Sequence, residues 1–125
     1  MTIDMYAEEI IDRFKRPQNF GTIENADFEA EEFNPLCGDK IKLQLKTESG
    51  NILAKFSGQG CAISQASADI LCDYMKTKRV SELKNIKDDD AIGLLNIPIT
   101  GARLKCALLP LWALRSAINA SNRNL

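Results

Sequence analysis

The sequence predicts a single α+β domain over residues 1–125, with its strands early in the chain and most of its helices late. Three observations support this fold class. Residues 3–16 carry apolar side chains at helical spacing, residues 28–56 contain alternating apolar and polar runs, and residues 62–120 return to helical spacing. A chain of 125 residues has the usual length of one domain. Folding at that length buries roughly two-thirds of the chain's surface, so a core can form without cross-links.

The first segment predicts a helix that ends at Pro17. Its apolar side chains recur at helical spacing and comprise Ile3, Tyr6, Ile10, Ile11 and Phe14. Proline lacks the N–H that a continuing helix needs, so the helix stops there. Residues 18–27 contain Asn19, Gly21 and Asn25 and predict a connection.

The next segments predict strands. Residues 28–33 alternate in part and indicate a short strand, whereas residues 40–46 alternate fully, with Ile41, Leu43 and Leu45 on one face. The turn residues at 49–51 separate this run from a weaker alternating run at residues 52–56. These two runs predict a hairpin of a half-buried antiparallel sheet.

The last half of the sequence predicts helices. A helix after residue 61 has one face formed by Ile63, Ala66, Ile70 and Tyr74. Residues 80–95 indicate two short helices, with Ser81 and the three aspartates at 88–90 as their N-terminal caps. Residues 98–101 predict a loop before a final helix at residues 104–120. Pro110 falls within the first turns of that helix, where proline costs least.

Composition and charge exclude several classes of protein. The chain is 45% hydrophobic and 26% charged, which is typical of a globular protein. Its net charge of -1 and the lack of a basic stripe argue against a nucleic-acid partner. Residues 1–9 lack the features of a secretory signal, and no apolar run approaches the roughly 18 residues of a membrane helix. We therefore expect no membrane association and a cytoplasmic location, where thiols stay reduced.

Three of the four cysteines occupy positions that favour chemistry. Cys37 is followed by Gly38, which permits a close backbone approach, and by Asp39, which supplies a carboxylate oxygen. Cys61 follows two glycines and opens a helical stretch, and Cys106 opens the final helix. Backbone N–H groups and the helix dipole favour a thiolate at such helix starts. The thiolate is the form that binds metals and attacks sulfur, so a metal, cluster or sulfur-handling site is the first hypothesis.

Each of the three cysteines could also have a purely structural role. Each cysteine alone could be a turn or core residue, and the joint occurrence of all three favours function. Arg103 and Lys105 flank Cys106, and their charges would stabilise its thiolate. Cys72 lies eleven residues after Cys61, which is about 16 Å along a continuous helix. It therefore cannot join the same small centre, and we interpret it as a core residue.

Four motifs together resemble one known family, the IscU/SufU-type iron–sulfur cluster assembly scaffolds, also known as the N-terminal NifU domain. The motifs are Tyr6 to Ile10 through Pro17-Gln18-Asn19-Phe20-Gly21, Asn34-Pro35-Leu36-Cys37-Gly38-Asp39, Gly58-Gln59-Gly60-Cys61-Ala62-Ile63-Ser64-Gln65-Ala66-Ser67, and Arg103-Leu104-Lys105-Cys106-Ala107. The resemblance covers nearly the whole chain, and the two middle motifs are highly specific together.

The resemblance implies a fold, a site and partners. The fold is a small three-stranded antiparallel sheet packed by helices. Cys37, Cys61 and Cys106 are the thiolates for a [2Fe–2S] cluster or Zn²⁺, and Asp39 is the aspartate beside them. Sulfur comes from a cysteine desulfurase and clusters pass to apo iron–sulfur proteins, so the chain is a carrier and not an enzyme. Homodimer formation is left open, and Cys106 and Cys61 are the candidate persulfide acceptors.

Two departures leave the branch of the family open. Many IscU proteins have His directly before the third cysteine, whereas this chain has Lys105 and no His at all. SufU proteins carry a basic residue there, but they also carry an insertion between the second and third cysteines. Only 44 residues separate Cys61 from Cys106 here, which is the shorter IscU-like spacing. The fourth ligand is therefore Asp39, Lys105 or an external group. The LPPVK segment read by Hsp70-type chaperones is also replaced, which argues against chaperone-assisted transfer.

Two functions with sulfur chemistry follow from these residues, and a structural zinc domain without sulfur chemistry is the third and less favoured alternative. The first is a scaffold that assembles a [2Fe–2S] cluster and transfers it. The second is a zinc-dependent sulfurtransferase that accepts persulfide sulfur from a cysteine desulfurase. The shorter spacing favours the scaffold, and Lys105 favours the sulfurtransferase.

Overall fold

One helix precedes three strands and four helices follow them in a computed structural model that describes the backbone of residues 2–123 and the side chains of residues 7–120. The elements are α1 (Thr2–Lys15), β1 (Phe28–Asn34), β2 (Asp39–Glu48), β3 (Asn51–Gln59), α2 (Ala62–Met75), α3 (Val80–Leu83), α4 (Asp88–Gly93) and α5 (Arg103–Arg123). The α+β class and the element order predicted from the sequence are confirmed.

The strands form one antiparallel sheet in the order β1-β2-β3. The alternation of the central strand is confirmed, because Ile41, Leu43 and Leu45 are each at most 1% exposed. Gln44, on the polar side of that pattern, is also buried. Its amide is satisfied there, because it accepts a hydrogen bond from the Ile23 N–H at 2.8 Å and donates to the Ile23 carbonyl at 3.0 Å.

Helices α2 and α5 pack on the sheet and on each other to form the core. Apolar side chains from both helices and from β2 and β3 make one buried cluster, whose largest members include Phe56, Leu71, Leu109 and Leu114. Residues 63–72 of α2 are buried on every side, which is expected of a helix enclosed by other elements. Cys72 is fully buried in this cluster, as predicted.

Helix α1 is attached to α2 by a buried polar network. Arg13 donates to Asp69 at 2.8 Å and to Asp73 at 2.5 Å. Asn19 donates to Asp69 from its backbone N–H at 2.8 Å and from its side chain at 3.0 Å. Ile10 is buried beneath the helix, whereas other apolar members of its predicted face, Ile11 and Phe14, are exposed. The predicted side chains of Ile3 and Tyr6 lie outside the described residues.

The connection after α1 runs beside β3. Phe20 forms a parallel bridge with Phe56, and their rings meet edge to face with centroids 5.4 Å apart. The Gly21 N–H donates to the Phe56 carbonyl at 2.8 Å, and the Phe56 N–H donates to the Asn19 carbonyl at 3.0 Å. This connection is thereby fixed to the sheet and positions Asn19 over α2.

The caps of the two short helices differ from the prediction. Arg79, and not Ser81, is the N-cap of α3, because Glu82 accepts a hydrogen bond from the Arg79 N–H at 2.8 Å. Lys87 is the N-cap of α4, and its N–H donates to Asp90 at 2.9 Å. The three aspartates therefore fill the first turn of α4, where the helix dipole favours negative charge.

Pro110 lies deeper in the last helix than the sequence indicated. It is the eighth residue of α5 and is buried. Its missing N–H leaves the carbonyl of Cys106, four residues earlier, without the usual intrahelical donor. None of the helices among the described residues is long and apolar enough to cross a membrane.

Candidate metal centre

The first cysteine lies in the tight loop between β1 and β2. Asn34 and Asp39 pair across the strands, and the four residues between them turn the chain. The Gly38 N–H closes the turn on the Asn34 carbonyl at 2.8 Å. Gly38 has a φ of +74°, a backbone conformation that favours glycine. The loop leaves Cys37 exposed at one end of the sheet.

Asp39 connects this loop to the second cysteine. Cys61 is the N-cap of α2, and its backbone N–H donates to Asp39 Oδ1 at 3.0 Å. The other carboxylate oxygen, Oδ2, lies 3.6 Å from the sulfur of Cys37 and 3.6 Å from the sulfur of Cys61. Asp39 is only 2% exposed, so its carboxylate is held between the two thiols.

The third cysteine lies late in the sequence, on α5. Cys106 is the fourth residue of α5, and its Sγ lies 3.5 Å from the Sγ of Cys37. A hydrogen bond of 2.7 Å from Ser67 to the Ala107 carbonyl fixes this turn of α5 against α2. The packing of α5 on α2 therefore brings together thiols that are far apart in sequence.

These spacings fit the coordination shell of a metal ion. Zn–S bonds of about 2.3 Å and Zn–O bonds of about 2.1 Å in a tetrahedron separate two sulfurs by about 3.8 Å and a sulfur from an oxygen by about 3.6 Å. The separations in the structure are 3.5 Å between the sulfurs of Cys37 and Cys106, and 3.6 Å from Asp39 to the sulfur of Cys37 and to that of Cys61. The ligand atoms of Cys37, Asp39 and Cys106 all lie within 4.8 Å of one another, whereas Cys61 is outside this group and is linked to it through Asp39. Cysteine is also the usual ligand of iron–sulfur clusters, so the donor set suits zinc and iron alike.

Burial controls the protonation of the third thiol. It raises the pKa of Cys106, and the neighbouring Cys37, Cys61 and Asp39 raise it further. This direction is opposite to the sequence-based expectation that Arg103 and Lys105 would favour the thiolate. Both cationic side chains are exposed, so water weakens their influence on a sulfur that is 3% exposed. A metal that binds here must therefore displace thiol protons.

The structure also identifies three residues near the site that the sequence analysis did not assign to it. Asn34 donates from its side chain to Cys37 Sγ at 3.0 Å. The Ser64 hydroxyl is 3.8 Å from the sulfur of Cys61 and donates to the Cys61 carbonyl at 3.1 Å. Gly60 borders both Ser64 and Asp39, because a Cβ there would lie 2.5 Å from Ser64 Oγ and 2.8 Å from Asp39 Oδ1. Each of them belongs to a motif that contains a cysteine, and this proximity in sequence is the only feature that could have indicated their place near the site.

Comparison with known proteins places the chain in a family. The family described as NifU-like N terminal domain matches residues 5–124. The iron-sulfur cluster assembly scaffold protein IscU of Escherichia coli K12 is 31% identical, with 90% of this chain and 91% of that protein aligned. The zinc-dependent sulfurtransferase SufU of Bacillus subtilis is 35% identical, with 91% and 89% aligned.

Solved structures show the same fold. A crystal structure of a putative scaffold protein for the SUF system from Fervidobacterium islandicum superposes with a TM-score of 0.71 and 32% identity, covering 94% of this chain and 99% of that one. The N-terminal part of a NifU-like protein from Brucella abortus gives a TM-score of 0.74 at 20% identity, covering 98% and 97%. The chain therefore belongs to the NifU N-terminal domain family of iron–sulfur cluster assembly scaffolds, which includes IscU and SufU.

Proposed function

We propose that this protein assembles a labile [2Fe–2S] cluster on Cys37, Cys61 and Cys106, with Asp39 or another group as the fourth ligand. Sulfur comes from a cysteine desulfurase, and the finished cluster passes to apo iron–sulfur proteins. The observation that supports this proposal is the convergence of three thiols and one carboxylate beside an exposed loop. A scaffold needs such a position because both its sulfur donor and its recipients must reach the cluster.

The donor set suits temporary binding. Thiolates are the preferred ligands of iron–sulfur clusters, whereas a carboxylate oxygen is a harder ligand that suits them less. Three thiolates and one oxygen should therefore hold a cluster less firmly than four thiolates. Open space around Gly38, where a Cβ would meet nothing within 4 Å, lets the loop carrying Cys37 adjust as a cluster enters or leaves.

Accessibility favours Cys37 as the thiol that receives sulfur. The sequence-based candidates are Cys106 and Cys61. Cys106 is only 3% exposed and Cys61 is partly buried, whereas Cys37 is exposed. In this step the Cys37 thiolate attacks the terminal sulfur of the desulfurase persulfide. A new S–S bond forms at Cys37, the bond within the donor persulfide breaks, and the desulfurase cysteine leaves as a thiolate.

One observation favours a second function, that of a zinc-dependent sulfurtransferase. The spacings of Cys37, Asp39 and Cys106 match a single tetrahedral ion, and the Bacillus subtilis relative is named a zinc-dependent sulfurtransferase. When such an ion is bound, it holds the ligand sulfurs as thiolates. Against this alternative, the alignment to SufU extends over 133 positions, more than the 125 residues of this chain. SufU therefore carries extra residues inside the matched region.

Anaerobic reconstitution separates the two functions. The full chain would be mixed with ferrous iron and sulfide, desalted, and examined by visible absorbance and by electron paramagnetic resonance after reduction. The scaffold function predicts a stoichiometric cluster that moves to an apo-ferredoxin. The same chain loaded with Zn²⁺ would be tested for acceptance of ³⁵S from a cysteine desulfurase. Sulfur acceptance that requires Zn²⁺, together with no transferable cluster, would establish the sulfurtransferase function.

A further inference from the structure

The side chain of Asn34 is held with its donor end toward the metal centre. Asn34 is the last residue of β1 and is only 4% exposed. Its Oδ1 accepts a hydrogen bond from the Leu36 N–H at 3.2 Å. That bond decides the orientation of the amide, because only Nδ2 can then face the thiol. Nδ2 lies 3.0 Å from the sulfur of Cys37.

The other two thiols have different neighbours. The sulfur of Cys61 has the Asp39 carboxylate and the Ser64 hydroxyl beside it, and that hydroxyl already donates to the Cys61 carbonyl. The sulfur of Cys106 faces the Ala102 carbonyl at 3.9 Å, which can only accept. Among the described side chains, Asn34 alone directs an amide N–H at a ligand sulfur.

We propose that Asn34 is a positioning residue of the metal centre, which orients Cys37 and tunes the sulfur through an N–H···S hydrogen bond. This inference rests on the proposed function only in requiring that the three cysteines bind a metal. A donor to a thiolate stabilises its charge and withdraws electron density from the metal–sulfur bond. Asn34 therefore sets the affinity of the centre and the energy of its sulfur-to-metal charge transfer, and in a cluster it raises the reduction potential.

Cobalt substitution tests this inference in the full chain. Co²⁺ takes the place of Zn²⁺ in thiolate sites, and its sulfur-to-cobalt absorption reports on the ligand sulfurs. Asn34→Asp keeps an oxygen that can accept the Leu36 N–H, and neither Asn34→Asp as a carboxylate nor Asn34→Ala carries a hydrogen-bond donor for Cys37. We expect the charge-transfer band of both variants to move to lower energy. We also expect Zn²⁺ affinity, measured against a chromophoric chelator, to fall about 10- to 100-fold.

Matched controls and contrary outcomes are available. Asn51 is exposed at the opposite end of β3, so Asn51→Ala and Asn51→Asp should leave both measurements unchanged. An unmoved band in folded Asn34 variants overturns the inference, even if their affinity falls, because loss of loop structure alone would explain that fall. A wild-type chain without any sulfur-to-cobalt band instead overturns the proposed function. The two failures are thus distinguished by the wild-type spectrum.

Discussion

Replacing Gly60 by alanine should disturb the metal centre without introducing any polar group. The added Cβ would lie 2.5 Å from Ser64 Oγ, 2.8 Å from Asp39 Oδ1 and 2.9 Å from Asp39 Cγ. Restoring separations of about 3.5 Å requires shifts of roughly 0.7–1 Å. A shift of that size away from Cys61 would lengthen the 3.0 Å bond from its N–H to Asp39 beyond hydrogen-bonding range.

The expected cost follows from that bond. Loss of a hydrogen bond to a buried carboxylate costs about 1.5–3 kcal/mol. Alanine recovers up to about 1 kcal/mol by restricting the unfolded chain. We therefore expect the free energy of unfolding of Gly60→Ala to fall by about 1–2 kcal/mol. Since Asp39 would also leave its position 3.6 Å from two thiols, Zn²⁺ affinity should fall about 10- to 100-fold.

Gly93→Ala is the matched control. A Cβ at Gly93, which lies in α4, meets nothing within 4 Å. Urea unfolding should show that variant to be as stable as wild type, or more stable by up to about 1 kcal/mol. A chelator competition should show unchanged Zn²⁺ binding. If Gly60→Ala matches wild type in both assays, the argument that Gly60 holds Asp39 in place is wrong.

Three further predictions concern residues around the site and the α1–α2 contact. Serine at Cys37, Cys61 or Cys106 should abolish stable cluster binding, whereas Cys72→Ser should retain it; loss of the cluster in a folded Cys72→Ser protein would contradict the proposed assignment. Lys105→Arg should bind a cluster with unchanged absorbance, because we expect the exposed side chain not to be a ligand; a cluster lost in Lys105→Arg and restored by Lys105→His would show the opposite. Arg13→Met should lower the free energy of unfolding by about 3 kcal/mol, because it leaves the fully buried carboxylate of Asp69 without its charged partner. Burial alone would raise the pKa of Asp73, but hydrogen bonds from Arg13 and Asn19 hold that pKa below its usual value. The contribution of Asp73 to stability is present above its unfolded pKa of about 4 and is lost as the pH falls through the lowered pKa, so urea unfolding from pH 6 to 3 should show a weaker acid sensitivity in Arg13→Met.

Much of the fold could be predicted because local patterns agree with the final packing. The alternation of β2 indicated its buried face, and the stop at Pro17 indicated the end of α1. The caps of α3 and α4 were missed because a side chain three residues inside each helix bonds back to the cap N–H. Such a bond depends on side-chain orientation, and Ser81 seemed a better cap than Arg79 by residue type alone.

The candidate site was predicted through its cysteines, whereas its supporting residues required the structure. The settings of Cys37, Cys61 and Cys106 are local, so the sequence revealed them. Their convergence depends on how α5 packs on α2, and no local pattern encodes that distance. Asn34 was part of a quoted motif, but its role depends on a hydrogen bond to Cys37 that only the folded loop brings into range.

The bridge between Phe20 and Phe56 affects whether the sheet can pair edge to edge with a strand from another molecule. A strand at the edge of a sheet offers unpaired N–H and C=O groups that can recruit a strand from another molecule. β3 is one edge strand of this sheet, and the segment after α1 covers part of its free edge through the hydrogen bonds of Gly21 and Asn19 to Phe56. On the other edge, β1 carries exposed Glu29 and Glu31, whose charges discourage a neighbouring strand. Both edges of the sheet are thereby made less available to a strand from another molecule.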